Sequence, residues 1–230
     1  MADDSHVASE VRVLTGSADP ELVWTNELGG TAWRAGDVFV KWNPLTSGID
    51  LEREAKRLRW LEGRHPAPVV VDFGANADAE WLITKTLAGE SAVAPRWKAQ
   101  PDQAVEAIAA GLRALHSLDA TSFPTEWSRE SWVTRDLPAP GARPSLIDAV
   151  LVHGDACSPN TLMSEGGAWV ANVDFVDLAV GDRWADLAVA SMALKWNYGP
   201  NLEDHFFDAY GVEPDTERIE YYRALWHAES

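Results

Sequence analysis

Eight residues at positions 153–160, His-Gly-Asp-Ala-Cys-Ser-Pro-Asn, constrain the fold more than any other part of this chain. An apolar pair precedes them, and two short apolar stretches separated by Ser-Glu-Gly-Gly follow them. This pattern predicts two short strands joined by a tight turn. If the strands pair, Asn160 lies near Asp174, which ends the second stretch, and Asp155 lies on the loop beside them.

Two carboxylates and an amide that converge in this way suit a hard divalent cation, because such ions take oxygen ligands. The spacing from Asp155 to Asn160 is also that of the kinase catalytic loop, where the Asp accepts the proton of the substrate hydroxyl and the Asn holds a metal. Asp174 would then be the second metal carboxylate. Each residue alone is more often a turn residue, and Cys157 is interpreted as a small loop residue because no partner base argues for a nucleophile.

The first part of the chain contains a glycine turn and a strand with a lysine. Residues 10–42 alternate like a small antiparallel sheet, and the turn at Gly30 and Thr31 would let backbone N–H groups approach a phosphate. Gly-Gly also marks ordinary hairpins. In the following strand Phe39 and Lys41 share one face, so the lysine is predicted to reach nucleotide phosphates while Phe39 packs on the base.

A predicted helix supports a nucleotide site. Leu51, Ala55 and Leu58 form an apolar stripe at helical spacing, and Glu54 falls on the same stripe. An acid on a core-facing stripe is costly unless it meets a cation, so we expect it to pair with Lys41, as in kinases. The alternative is a surface-reaching Glu54 and an exposed Lys41.

Mainly helical patterns follow. A core helix is predicted from residue 102 to 118, and residues 119–145 are interpreted as loop with short helical turns that would roof a substrate cleft. A further helix is predicted from Asp182 to Lys195, with Asp182 and Asp186 interpreted as structural residues that cap it or brace the loop. The fold class is therefore predicted to be α+β, with a small sheet lobe carrying one helix (residues 1–88) and a mainly helical catalytic lobe (89–230).

Composition narrows the function classes. The net charge of −17 argues against nucleic acid or an anionic membrane as partner and favours a cationic ligand. No apolar span is long enough for a transmembrane helix, the N-terminus does not read as a signal peptide, and the single cysteine suits a reducing compartment. We therefore expect a cytoplasmic protein; the sequence does not decide between a monomer and a dimer. Most of the twelve tryptophans are expected in the core or at a lobe interface.

Taken together, these pieces resemble the aminoglycoside phosphotransferases, and specifically the class that phosphorylates the 3′-hydroxyl. The resemblance runs nearly end to end and rests on segments 51–54, 60–63, 115–118, 153–160, 173–174, 181–187, 206–212 and 221–222. It implies a bilobal, protein-kinase-like fold and an ATP- and Mg²⁺-dependent kinase. It also implies Asp155 as base, Asn160 and Asp174 on magnesium, Lys41 on the phosphates with Glu54 orienting it, and Phe39 on the adenine.

The chain also departs from that family. The segment between His116 and His153 is short, and Val176-Asp177 replaces the usual Gly-Arg. Trp226-His227 stands where acids grip the drug, leaving Glu229 near the end. Asp177 and Glu229 are the candidates for binding a substrate amine. An aminoglycoside is the predicted acceptor. A kinase of another metabolite or antibiotic, such as a sugar or an amino alcohol, stays open, as does a non-catalytic ligand-binding relative.

Overall fold

Five short strands near the start of the chain pair into one antiparallel sheet. They are β1 (Glu21–Thr25), β2 (Thr31–Ala35), β3 (Val38–Pro44), β4 (Val70–Ala75) and β5 (Ala79–Lys85), in the order β1-β2-β3-β5-β4. The computed structural model describes residues 4–17, 19–135 and 141–229. Residues 4 and 229 are described by their backbone alone. The sheet belongs to the first of two units, Met1–Glu62 with Ala67–Leu87; the second is Gly63–Pro66 with Ala88–Ser230.

Helix α1 (Asp4–Thr15) corrects the predicted start of the sheet. Val7 and Val11 are fully buried on it, against Val40 and Trp42 of the sheet. Their spacing of four residues is helical, but only the second of them lies within residues 10–42, where we predicted strands. The described part of the first unit therefore holds two helices, not the one predicted.

Helix α2 (Leu51–Leu61) confirms the predicted stripe. It begins after Asp50, whose carboxylate accepts a hydrogen bond from the backbone N–H of Arg53 at 2.8 Å, as N-cap residues do. Leu51, Ala55 and Leu58 are buried. Glu54, on the same stripe, is buried as well.

The second unit is mainly helical, with two small sheets. Its elements are β6 (Glu90–Ser91), α3 (Pro95–Lys98), α4 (Pro101–His116), α5 (Thr125–Glu130), β7 (Ala149–Val152), β8 (Thr161–Met163), β9 (Trp169–Asn172), β10 (Ala179–Asp182), α6 (Trp184–Tyr198), α7 (Glu203–Tyr210) and α8 (Thr216–Glu229). One sheet has the order β6-β8-β9, and β7 pairs with β10. The predicted α+β class is thus confirmed.

Helix α6 lies at the centre of this unit. Every residue from Trp184 to Leu194 is buried. A helix that is apolar all round belongs in a core, and α4, α7 and α8 contact it. Among the described residues, no helix is both long enough and apolar enough to cross a bilayer.

Candidate active site

The hairpin of β8 and β9 brings Asn160 next to Asp174. Thr161 pairs with Asn172 in the antiparallel register, and the N–H of Val173 donates to the carbonyl of Asn160 at 3.0 Å. The pairing therefore extends one step beyond the strands. The convergence predicted from the apolar pattern is confirmed for these two positions.

Asn160 also holds Asp155 directly. Its side-chain Nδ2 donates both to the backbone carbonyl of Asp155 and to the carboxylate Oδ2, each at 2.9 Å. The other carboxylate oxygen, Oδ1, is buried and makes no hydrogen bond of ordinary geometry among the residues described. A buried oxygen without a donor is uncommon in a folded protein. The only further donor to this carboxylate among the described residues is the weak thiol of Cys157, which an external partner could replace.

Asp174 has a left-handed backbone conformation, with φ of 70°. Aspartate tolerates this region better than most residues, but it remains unusual for a non-glycine residue, and such conformations concentrate at functional sites. The carboxylates of Asp155 and Asp174 both act on Cys157. Burial first, and then the charge of Asp155, raise the pKa of the Cys157 thiol. The thiol therefore stays protonated and supplies no nucleophile.

These side chains fit a magnesium ion by their chemistry. Asp155, Asn160 and Asp174 together offer two carboxylates and one amide oxygen, which are hard oxygen ligands. No group of three His, Cys, Asp or Glu side chains in the described ranges is arranged to hold a metal. A cation held by Asp155, Asn160 and Asp174 would take the rest of its coordination from water and phosphate, as magnesium usually does.

His153 connects the two halves of this set. Its Nε2 donates to the carbonyl of Val173 at 2.9 Å, while its Nδ1 accepts the N–H of Asp155 at 3.2 Å. Because Nδ1 must be unprotonated to accept, one tautomer is selected. The ring also packs on Phe175, with centroids 4.5 Å apart. His153 therefore orients the loop.

Asp186 supports the same loop from helix α6. It is fully buried, and its carboxylate accepts the N–H of His153 at 2.6 Å and that of Gly154 at 2.9 Å. His116, at the end of α4, donates from Nε2 to the same carboxylate at 2.9 Å. The interpretation of Asp186 as a loop brace is confirmed.

Asp182 accepts the N–H of Trp184 at 3.1 Å, which confirms its structural role.

Gly154 is required by close packing. A Cβ at this position would lie 2.5 Å from both the Cβ and the carbonyl oxygen of Asp177, and φ is 82°. Asp177, a candidate substrate residue, therefore lies directly against the loop. Trp132 donates its indole N–H to the carbonyl of Gly154 at 2.6 Å. Nothing in the sequence pointed to this contact, because residues 119–145 show no periodicity that singles Trp132 out.

In the first unit, the predicted pair of Lys41 and Glu54 is confirmed. The ammonium lies 2.8 Å from each carboxylate oxygen of Glu54. The Glu54 side chain is 3% exposed and that of Lys41 is 33% exposed, so the carboxylate is enclosed while the lysine can still reach a ligand. Phe39, two residues along the strand from Lys41, lies on the same face and is half-buried.

The glycine turn is held largely by one side chain. Asn26 Oδ1 accepts the N–H of Leu28 at 3.0 Å and that of Gly30 at 2.7 Å. The N–H of Gly29 donates to the backbone carbonyl of Asn26 at 3.2 Å. The Thr31 hydroxyl is buried and accepts the indole N–H of Trp33 at 2.8 Å. The polar groups at Gly30 and Thr31 thus have partners within the unit.

The side chain of Glu229, the other candidate substrate residue, lies outside the residues described.

The chain is similar to known proteins along most of its length. The sequence model of the phosphotransferase enzyme family matches residues 27–147 and 135–222. An aminoglycoside 3′-phosphotransferase from Streptomyces fradiae is 33% identical over 218 residues, which cover 79% of this chain and 81% of that protein. A streptomycin 3″-kinase from Streptomyces griseus is 28% identical over 263 residues, which cover 91% of this chain and 95% of that protein.

A solved structure gives the same picture of the fold. The aminoglycoside phosphotransferase from Streptomyces rimosus, in complex with ADP and streptomycin, matches with a TM-score of 0.73 and 23% identity over 98% of each chain. This similarity confirms the predicted protein-kinase-like fold class. Together with the family match and the 33% identical relative, it shows that the chain belongs to the phosphotransferase enzyme family, in agreement with its resemblance to the aminoglycoside phosphotransferases.

Proposed function

We propose that the protein transfers the γ-phosphate of ATP to a hydroxyl of a small cationic molecule, with an aminoglycoside as first choice. The observation that carries this proposal is the bond from the Asn160 amide to the Asp155 carboxylate, at a hairpin end where Val173, the residue before Asp174, bonds the carbonyl of Asn160. A nucleotide lobe at residues 1–88 and a catalytic lobe at 89–230 remain part of the proposal.

Asp155 is the proposed base. Because Oδ2 is occupied by Asn160, the buried and unpartnered Oδ1 is the oxygen that would accept or orient the proton of the acceptor hydroxyl. The backbone of this residue is fixed by His153, which limits the carboxylate to a narrow range of positions. Such positioning is most of what phosphoryl transfer asks of a protein.

The nucleotide would be held by the remaining residues. Asn160 and Asp174 would bind magnesium, which would supply positive charge against the phosphate oxygens. Lys41 would bind the phosphates, and Glu54 would keep its ammonium in place. Phe39 would stack on the adenine. The turn at Gly30 and Thr31 is proposed to lie beside the phosphates.

An aminoglycoside acceptor is supported by the relatives and by charge. The proteins from S. fradiae and S. griseus are named for such substrates, and a net charge of −17 would concentrate a polycation near the protein. Asp177, which packs on Gly154, is proposed to bind a substrate amine, as is Glu229. Salt should weaken the attraction.

A kinase of another small molecule is the second candidate, and one observation favours it. At the end of α8 the Trp226 ring packs against Trp196, with centroids 5.7 Å apart, and against His227. Aromatic rings therefore stand where the resemblance implies acids. Such rings suit a neutral sugar face at least as well as an ammonium group.

The test is a phosphorylation assay with ATP or GTP and magnesium, read by nucleoside diphosphate release. The acceptors are a panel of aminoglycosides, sugars and amino alcohols. We expect turnover with at least one aminoglycoside, and turnover at least about 10²-fold slower in the Asp155→Asn variant. Turnover only with other acceptors would replace the first choice by the second candidate. Binding without turnover on every acceptor would indicate a non-catalytic relative.

A further inference from the structure

The strand register places an exposed tryptophan on the face of the sheet that carries Lys41. Trp24 of β1 lies directly opposite Ala32 of β2, and Ala32 lies directly opposite Lys41 of β3. Directly paired residues point to the same side of a sheet. Trp24 therefore projects to the same side as Lys41, two strands away, or about 10 Å at ordinary strand spacing.

The opposite side of the sheet is covered. Trp33, Val40 and Trp42 are buried there, together with Val7 and Val11 of helix α1. Leu22, on the same strand as Trp24, is paired with Trp33 and so belongs to that covered side. β1 is an edge strand whose residues are exposed on both sides of the sheet, and Trp24, on the side that carries Lys41, is 59% exposed.

Helix α2 reaches this face through Glu54, which bonds Lys41, and small and charged residues lie on its β1 and β2 part. Ala32, whose side chain is a single methyl group, separates Trp24 from Lys41 in the row. In the next row, exposed Arg34 lies opposite Phe39. This face thus carries two cations beside two aromatic rings: Arg34, which lies between Glu21 and Phe39, and Lys41, which is bonded to Glu54. This combination suits an anion with a flat apolar part.

We propose that Trp24 is a nucleotide-contacting residue of the sheet, an inference that rests on the proposed kinase function. Its indole packs on the ribose and phosphates that lie over Ala32 and reach Lys41. The indole N–H can only donate, which matches phosphate oxygens. Phe39 and Lys41 both lie on β3. Trp24, on β1, would contact the nucleotide from two strands away.

The experiment is calorimetric titration of the full chain with MgADP and with a non-hydrolysable ATP analogue. We expect Trp24→Ala to raise the Kd about tenfold, as the loss of one aromatic contact to a nucleotide typically does. Trp24→Phe keeps the ring but loses the N–H, so its Kd should lie between those of wild type and Trp24→Ala. Leu22→Ala, on the same strand but the opposite side, is the matched control and should leave the Kd unchanged.

Fluorescence gives a second measurement. MgADP should change the tryptophan emission of wild type and of Trp196→Phe, which removes another exposed tryptophan, and should change it far less in Trp24→Phe. Equal Kd values for wild type and Trp24→Ala, with nucleotide bound by both, would overturn this inference and leave the proposed function intact. A wild-type protein that binds no nucleotide would overturn both. An altered oligomeric state with unchanged Kd would instead assign Trp24 to a contact between copies.

Discussion

The catalytic loop at residues 153–160 and the glycine turn at 26–31 are both short polar segments, but they are held in opposite ways. Side chains from distant parts of the chain fix the loop: Asp186 and Trp132 bond its backbone, and His153 ties it to Val173. The turn is held mainly by Asn26, at its own first position. A loop held from far away can aim its side chains at a common point, whereas a turn held locally chiefly reverses the chain.

This difference has a chemical counterpart. In the loop one carboxylate oxygen, Oδ1 of Asp155, is buried without a hydrogen bond in the described part of the chain. In the turn, the N–H groups of residues 28–30 all have partners within the turn. In the loop, Oδ1 of Asp155 can therefore take part in a reaction. We expect substitutions in the loop to lower turnover, and substitutions in the turn to lower mainly stability.

The largest effect is expected at Asp155. Asp155→Asn keeps the shape of the side chain but removes the basic oxygen, so kcat should fall about 10²- to 10⁴-fold while the melting temperature and nucleotide Kd stay close to wild type. Steady-state kinetics and thermal melting measure the two quantities. A variant that turns over as fast as the parent would refute the assignment of the base.

The support of the loop is tested at Asp186. Asp186→Ala leaves the N–H groups of His153 and Gly154 and the ring of His116 without their acceptor, so the free energy of unfolding should fall by about 3–5 kcal/mol. Turnover should fall as well, because the loop loses its orientation. Denaturant unfolding gives the first quantity. Asp208→Ala removes an exposed carboxylate on α7 and should change stability by less than about 0.5 kcal/mol; equal effects would mean that Asp186 does not hold the loop.

The contact between His65 and Asn172, the last residue of β9, is expected to be sensitive to acid. Burial is the main cause that lowers the pKa of His65 from 6.5 to about 4, and its Nε2 lies 3.2 Å from Asn172 Oδ1. Since the unfolded chain binds the proton more readily, this group's stabilisation is complete above pH 6.5 and is lost as the pH falls towards 4, by about 3 kcal/mol in all.

Denaturant unfolding at a series of pH values measures this loss. His65→Gln should be less stable than wild type at neutral pH but should lose less stability on acidification. Parallel curves for the two proteins between pH 6.5 and 4 would contradict the assignment.

The smallest effect is expected in the glycine turn. Asn26→Ala removes the acceptor of two N–H groups and should lower stability by about 1 kcal/mol, with kcat close to wild type. Asn76 gives a matched control, because its side chain accepts the N–H groups of Asp78 and Ala79 in the β4–β5 turn in the same way. Equal KM values for ATP in Asn26→Ala and Asn76→Ala would assign the glycine turn a structural role alone. A rise confined to Asn26→Ala would place it beside the phosphates, as proposed.

The sequence predicted contacts best where a hydrophobic periodicity placed a charged residue in the core, because that residue then needed an opposite charge. Glu54 on an apolar stripe required a cation, and Lys41 meets it at 2.8 Å. The same reasoning was wrong at the N-terminus, where α1 replaces the predicted start of the sheet. Short apolar patterns with periods of two and of nearly four are difficult to distinguish, and only packing against Trp42 and its neighbours selects the helix.

What the sequence determined by itself is the order and type of the elements around residues 153–174, and hence that Asp155, Asn160 and Asp174 meet. These residues are close along the chain, and local hairpin pairing is enough to bring them together. Only the tertiary structure decided what holds them. Asp186 and Trp132 reach the loop from more than twenty positions away, and contacts over such separations depend on how helices pack, which no local pattern encodes.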